Sequence, residues 1–560
     1  MTAGKAELPT ETFDYVIVGA GTAGCALAGR LSEKPDVRVC LIEAGGPDRH
    51  PFIHVPALVA AAIGRPALNW RFLSIPQPRL NGRRIPIPRG RVIGGSGSIN
   101  GMVYFRGNPK DFDDWAAAGA KGWSYRELLP YFIRSENNPE YRDSPYHGTG
   151  GPMMVSHIPR PNPLIAAFLE AMSGLGFRYC ADFNGPEPEG YGPRQGTIRA
   201  GRRESTASAY LRPAMRRNNL RVLMHALATR IVIENRRAVA VEIQLDGATR
   251  RLAARREVIV SGGSILSPQL LQLSGIGDGE ALRALGIEVQ LHLPAVGANL
   301  QDHLAAAILL TMRDTSSYGI SLRALPRGAW NVLEYALARR GPFASNVFEA
   351  NAFVRSASGL DRPDIQVVFQ PARRNQSTFP LPLGHGFAVS IVSVYPKSRG
   401  RISLASPDPR VPPAIDPNLL GAAEDIQPLV RGLELARRIA GAPSFARYRA
   451  IETAPGPGVQ GEAALADYIR NTASTVHHPV SSCRMGAGPD SVVDSELRVR
   501  GIEGLRVADA SVFPGIIGGN TNATVVVVAE KAADMILGRP APRPFEEPAA
   551  ISRAAEPSTV

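Results

Sequence analysis

The chain has little cysteine and no long apolar run. Only four cysteines occur in 560 residues, Cys25, Cys40, Cys180 and Cys483. They lie far apart and match neither a zinc-ligand spacing nor a disulfide framework. Cys25 and Cys40 fall inside hydrophobic segments, where a thiol acts as a small apolar filler. No stretch of about 18 apolar residues is present, so nothing in the sequence reads as a membrane span. The first residues, MTAGKAELPTETFD, lack the apolar core of a signal peptide. The expected location is therefore cytoplasmic, with peripheral attachment to the inner membrane left open. Lysine and arginine outnumber aspartate and glutamate by 63 to 50, but no basic run interleaved with aromatics occurs. An arginine-rich solvated surface follows, and nucleic acid is not an expected partner. No internal repeat is visible.

What is present begins with a glycine cluster. Residues 13–18 (FDYVIV) are a β-branched run, 22–33 have helical composition and 37–42 (VRVCLI) read as a second strand. Strand, turn, helix and strand within about thirty residues form a βαβ unit, which requires a parallel sheet covered by helices. Residues 19–24, GAGTAG, put Gly19, Gly21 and Gly24 in the G-x-G-x-x-G frame. The first glycine permits the tight turn and the second lets backbone approach a pyrophosphate. The third lets the helix pack close to the sheet, with the helix N-terminus favouring the phosphate charge. Glu43 follows at the end of the second strand, where a carboxylate accepts hydrogen bonds from ribose hydroxyls. Strand-helix pairs return at 255–277 and at 504–537, so one sheet is assembled from segments distant in sequence. Between 348 and 404, four strand-like runs follow one another without helices, the pattern of an antiparallel sheet in a second domain.

FAD and NAD share the fingerprint. A second glycine-rich loop, RGRVIGGSGSINGMV (89–103), lies outside the βαβ unit. Bound NAD does not require it, whereas an isoalloxazine ring needs extra backbone lining, and Asn100 can offer a polar contact there. The apolar inserts Val92, Ile93 and Ile99 argue against a plain surface loop.

The stretch GRVIGGSGSINGMVY (90–104), the stretch GSILSPQLLQLSGIG (263–277) and the C-terminal blocks HHPVSSCRMG (477–486) and GGNTNATVVVVAEKAADMIL (518–537) together resemble the glucose–methanol–choline (GMC) oxidoreductases. The resemblance spans roughly residues 12–540, and is nearest to the choline dehydrogenase, aliphatic alcohol dehydrogenase and L-sorbose dehydrogenase group. It implies an α/β Rossmann-like FAD-binding domain built from 12–160, 215–310 and 465–540. The α+β substrate-binding cap, with its antiparallel sheet, would then comprise 161–214 and 311–464. Residues 1–11 and 541–560 are expected to be mobile tails. Further implied cofactor contacts are Thr22, Ala23, Ala44, Arg91, Val92, Gly95, Ser96, Asn100, Gly101, Met102, Val103 and Ala228, with Asp509 and Ala510 near the ribityl and pyrophosphate. Asn520 and Thr521 are placed on the pyrimidine side of the ring. Family members that attach FAD covalently carry a histidine immediately before the loop asparagine; Ile99 stands there, so FAD is expected to be non-covalent.

The resemblance assigns the catalytic base to His478, before Pro479, and the second catalytic group to Asn522. A neutral imidazole suits removal of a hydroxyl proton while hydride leaves the carbinol carbon. An amide can hold the alcohol oxygen without competing for that proton. His477 reads as a packing residue, Cys483 as a buried filler, and Glu349 as a sheet or salt-bridge partner before a cation site. The expected activity is oxidation of a small-molecule alcohol (primary alcohol, choline-like or sugar), with a quinone or other electron acceptor. An oxidase returning electrons to O₂, a photodecarboxylase and a non-catalytic flavin-binding scaffold are the alternatives.

Overall fold

In the computed structural model, which describes residues 10–373 and 383–547, the glycine cluster sits at the end of a central parallel strand. The five parallel strands run in the order Leu220–Leu223, Val39–Ile42, Thr10–Val18, Ala248–Val260 and Leu505–Val507. Ala248–Val260, paired with Thr10–Val18 along one edge, is long enough to serve two partners along the other. Its first half pairs antiparallel with Arg237–Leu245, which in turn pairs with Leu227–Glu234. Val16, Ile17, Val258 and Ile259 are fully buried, as strands covered on both faces must be.

Two helices cover the sheet beside the glycine loop. Thr22–Leu31 leaves the first strand directly, and Asn522–Leu537 packs alongside it. Residues Ala523–Asp534 of the second helix are all buried, which explains its valine run without polar breaks. Within it lies Glu530, which accepts hydrogen bonds from Arg30 and from Tyr210 (2.7 Å) and forms a salt bridge with Arg134 (2.8 Å). A buried carboxylate so surrounded is tolerated because its lone pairs are used.

The second domain is an all-antiparallel sheet in the order Ile451–Ala454, Leu304–Met312, His385–Ser393, Ile365–Gln370, Ala350–Val354 and Gly190–Pro193. Alternation decides its two faces. Ile365 and Val367 enter a core shared with helices Pro163–Gly174 and Gln427–Ala440, while Val368, Val392 and Ala305 form a cluster on the opposite face. That opposite face roofs the main cavity.

The discontinuous Rossmann-like domain and antiparallel cap follow the expected architecture, and the chain crosses between them at other places than the expected boundaries. Strand Leu304–Met312 belongs wholly to the cap sheet, ahead of residue 311, and Ser474–Thr475 pairs with it after residue 464. Ala207, Tyr210 and Leu211 pack in the Rossmann core rather than the cap. Gly400–Ser403 lies outside the cap sheet, in a three-stranded sheet with Ala298–Leu300 and Ala414–Asp416. Most of the expected tails lie outside the described residues. Where they are described they are anchored: Glu11 is paired in the first strand, and Phe545 packs on Tyr146 while its N–H donates to Arg126 O (2.7 Å). Among the described residues, no helix is long and apolar enough to cross a membrane.

Candidate active site

A cavity of about 530 Å³ runs from Glu43 and Ala228 at one end to His478 and Asn520. Its floor exists because glycines allow backbones to touch. A Cβ on Gly24 would fall 1.9 Å from Gly19 O, and one on Gly95 would fall 2.7 Å from the Cα of Gly21. The first contact seats the helix on its strand; the second brings the two glycine loops together. Thr22, Ala23, Gly19 and Gly21 line the cavity, and Gly24 does not, since its place is between helix and strand. Glu43 accepts hydrogen bonds from Ala20 N (3.0 Å) and Gly45 N (2.8 Å), and burial pushes its carboxyl up to about 7. Ala44 and Ala228 stand beside it.

The second glycine loop supplies Arg91, Gly95, Ser96, Asn100, Gly101, Met102 and Val103 to the same wall. Val92, between Arg91 and Gly95, is not among the residues lining the cavity, and its side chain packs in a small core with Ile53, Ala62, Leu68 and Ile99. Asn100 spends its oxygen on Met102 N (2.9 Å) and Arg203 Nη1 (2.7 Å), which fixes the turn. Asn346 of the cap donates to Gly101 O (2.8 Å), and Phe348 closes over Gly101. Asp509 holds Gly263 N (2.8 Å), Ser511 N (2.8 Å) and Ser267 Oγ (2.6 Å), so its carboxylate shapes the next helix start. Ala510 and Thr521 complete this side. An elongated chamber with a carboxylate at one end, open backbone at a helix N-terminus and a glycine floor fits a dinucleotide with a ring beyond it.

The far end carries the proton chemistry. Arg194 Nη2 donates to Asn520 Oδ1 (3.1 Å), and Asn520 Nδ2 faces His478 Nε2 (3.1 Å). His478 Nδ1 faces His303 Nδ1 (3.0 Å), and His303 Nε2 faces Ile517 O (3.1 Å). Both ends of this relay are fixed. A guanidinium only donates, so the asparagine oxygen accepts and its NH₂ donates to His478 Nε2. A carbonyl only accepts, so His303 carries its proton on Nε2, and its Nδ1 accepts from Nδ1–H of His478. Either direction of reading leaves the lone pair of His478 on Nε2, toward the cavity. Burial, with His303, His477, Arg89 and Arg194 around it, holds the His478 pKa well below the ordinary histidine range; burial alone brings His303 down to about 4. Both rings are therefore neutral near pH 7. The backbone is pinned too: His478 N donates to Asp302 Oδ1 (2.8 Å), and His477 O accepts from Arg89 (2.6 Å).

Asn522, expected beside His478, is placed elsewhere. It is the first residue of helix Asn522–Leu537, and its amide donates to Thr22 Oγ1 (2.9 Å), next to the first glycine loop. The amide opposite the imidazole is Asn520. Glu349 does not line this cavity; it accepts from Asn162 N (2.7 Å) and Tyr318 Oη (2.7 Å) and also from Ser345 Oγ. Burial raises the Cys483 thiol, in keeping with a filler. Sequence reasoning missed Arg194, Asp302 and His303. His303 lies 175 residues from His478, in a stretch that carries no motif of its own.

Models of the GMC oxidoreductase family match residues 13–305 and 396–529. The chain is 45% identical over 548 residues to an oxygen-dependent choline dehydrogenase of Rhizobium etli, covering 97% of this chain and 99% of that one. It is 41% identical over 527 residues to an alcohol dehydrogenase [acceptor] of Pseudomonas putida, covering 94% and 96%. Among solved structures it resembles pyridoxine 4-oxidase from Mesorbium loti, with a TM-score of 0.85 and 33% identity over 94% of this chain and 99% of that one. A formate oxidase structure matches with a TM-score of 0.88 and 28% identity, covering 95% and 99%.

Histidine-selective ¹⁵N NMR at pH 6 should find both rings neutral, with Nε2–H in His303 and Nδ1–H in His478. A depressed pKa keeps the free base down to a lower pH, so protonation of either ring near pH 6.5 would contradict the relay.

Proposed function

The chain belongs to the GMC oxidoreductase family and is an FAD-dependent oxidoreductase acting on a CH–OH donor, and from that premise we propose that His478 and Asn520 are its catalytic pair. The observation that carries the assignment is the relay ending in an unprotonated Nε2 opposite an amide N–H. A substrate hydroxyl can enter between the two, accepting from Asn520 Nδ2 and donating to His478 Nε2. As the hydroxyl proton passes to Nε2, negative charge grows on the oxygen, and the Asn520 amide stabilises it. Bound FAD supplies the two-electron acceptor for the hydride leaving the carbinol carbon, and the product is the carbonyl compound. His303 keeps the proton of His478 on Nδ1, and Arg194 keeps the amide of Asn520 turned toward the substrate. Asn522 serves the dinucleotide end by holding Thr22.

The site favours uncharged alcohols over choline-like ones. Glu43 and Asp509 are the carboxylates lining the cavity, and both are spent on backbone amides at the dinucleotide end. Beside His478 stand Arg89 and Arg194, and the roof carries Val368 and Val392. A quaternary ammonium there would meet two guanidinium groups and, among the described residues, no counter-charge on the lining. Passage of electrons to a quinone or similar acceptor, as a dehydrogenase, remains our reading of the second half-reaction, with O₂ as the alternative.

Three outcomes test this. His478→Ala should stay yellow and lose about 10²–10⁴-fold in anaerobic flavin reduction. Asn520→Ala should also slow reduction, whereas Asn522→Ala should lower FAD retention and leave the reduction rate of the loaded fraction near wild type. The reverse pattern for the two asparagines would return the role to Asn522. Second, 3,3-dimethylbutan-1-ol, the neutral isostere of choline, should reduce the flavin at least about tenfold more efficiently than choline; a preference for choline would overturn the charge argument. Third, with Ile99 before Asn100, acid precipitation should release the yellow colour into the supernatant, and a yellow pellet would show a covalent link.

A further inference from the structure

Helix Leu325–Ala338 is built inside out. It has no buried residue, and the side that rests on the protein is small or polar: Ala324, Gly328, Asn331, Glu334 and Tyr335 are the half-buried positions. Tyr335 Oη donates to Gly201 O (3.0 Å) and Glu334 pairs with Arg160 (2.8 Å). The side facing away carries the large apolar groups, with Leu322 86% exposed, Leu337 80% and Trp330 63%, and Leu325, Val332 and Leu333 between them. Exposed Ile320 and its bridge partner Leu383 extend the patch. An amphipathic helix in a globular domain turns its apolar stripe to the core. This one turns it outward, and a contiguous patch of this kind marks an interaction surface.

Charge says which one. Exposed Arg323, Arg327, Arg339 and Arg340 bracket the helix at both ends, and its own carboxylate, Glu334, is already occupied by Arg160. Apolar side chains flanked by arginines, with a tryptophan among them, suit the boundary between acyl chains and anionic headgroups. A second copy of the chain fits less well, because a symmetric contact through this face would oppose arginines with arginines. We propose that helix Leu325–Ala338 with Leu322 lies in the plane of an anionic bilayer surface and holds the protein there as a peripheral membrane protein. The chain passes from this helix through Pro342–Ala344 to Asn346 and Phe348, which close the cavity over Gly101. The surface therefore adjoins the substrate end of the molecule.

The test is co-sedimentation of the FAD-loaded full chain with vesicles of phosphatidylcholine and phosphatidylglycerol (3:1), read by bound protein and not by activity, so it stands apart from the catalytic assignment. Wild type should sediment, and less so with phosphatidylcholine alone or at high salt. The triple variant Leu322→Glu, Trp330→Glu, Leu337→Glu should bind at least roughly tenfold more weakly, with unchanged flavin absorbance and Tm. Changing the four arginines to glutamine should weaken binding to the anionic vesicles. Absence of wild-type binding, or equal binding by the triple variant, overturns the proposal. A lower Tm in the triple variant would assign the face to packing within the chain, and loss of a wild-type dimer in that variant would assign it to self-association; either also overturns it.

Discussion

Two imidazoles that meet nitrogen to nitrogen at 3.0 Å can share one proton between them, and the site depends on which ring owns it. The question is settled outside the pair, by a carbonyl that can only accept and a guanidinium that can only donate. His303 immediately precedes cap strand Leu304–Met312, while Ile517 and Asn520 belong to the loop before helix Asn522–Leu537 in the Rossmann domain. The orientation of His478 is thus a property of how the two domains are docked. That docking is itself fixed by buried polar contacts: Asp302 receives His478 N, and Asp111 receives Gly518 N (2.7 Å) and Tyr395 Oη (2.7 Å). A network in which every member has one possible role rigidifies its site more than the sum of its bonds suggests.

The opposite end of the cavity is governed by the close approach of backbones. Strand, glycine turn and helix follow in order along residues 10–31, and strand-like runs separated by glycine and proline without intervening helices mark the cap, so both architectures were legible in the sequence. These are local signals: each needs only neighbours within a dozen residues. Domain boundaries were less legible, because nothing local in strand Leu304–Met312, which lies wholly in the cap, says which of the two sheets it joins. The sterics binding Gly21 to Gly95 were visible only as glycines; the contact joins segments 74 positions apart and follows from the fold.

The same limit applies to the asparagines. In GGNTNA, Asn520 and Asn522 are chemically alike and two residues apart. What separates them is where the helix begins. Asn522 is its first residue, so its side chain points toward the N-terminal end and reaches Thr22 across the glycine loop. Asn520 precedes the cap residue Thr521, and its side chain leaves toward His478. A shift of helix start by two residues would exchange which amide meets the imidazole, and helix starts are poorly fixed by sequence alone.

Arg194 explains why this end of the cavity has the charge it has. It is 5% exposed, its Nε has no hydrogen-bond partner, and burial without an offsetting carboxylate brings it down to about 9, so it remains charged at neutral pH. Arg203 is equally buried, is likewise brought down to about 9 and also keeps one nitrogen, Nη2, without a partner, but it spends its other nitrogens on Ile53 O, Gly97 O and Asn100 where Arg194 reaches only Asn520. Leaving Arg194 under-satisfied costs stability, and a costly group persists where it does something a neutral one cannot. Two effects follow from its position. It fixes the Asn520 amide through its oxygen, and in the proposed reaction it would place positive charge where an alkoxide develops. Positive charge that stabilises the departing proton's oxygen also depresses the pKa of the base that must accept the proton. His303 accepts from Nδ1–H of His478 and so fixes Nε2 as the nitrogen that can take the proton. The guanidinium and the second imidazole act through their neighbours, one holding the Asn520 oxygen and the other the Nδ1 of His478.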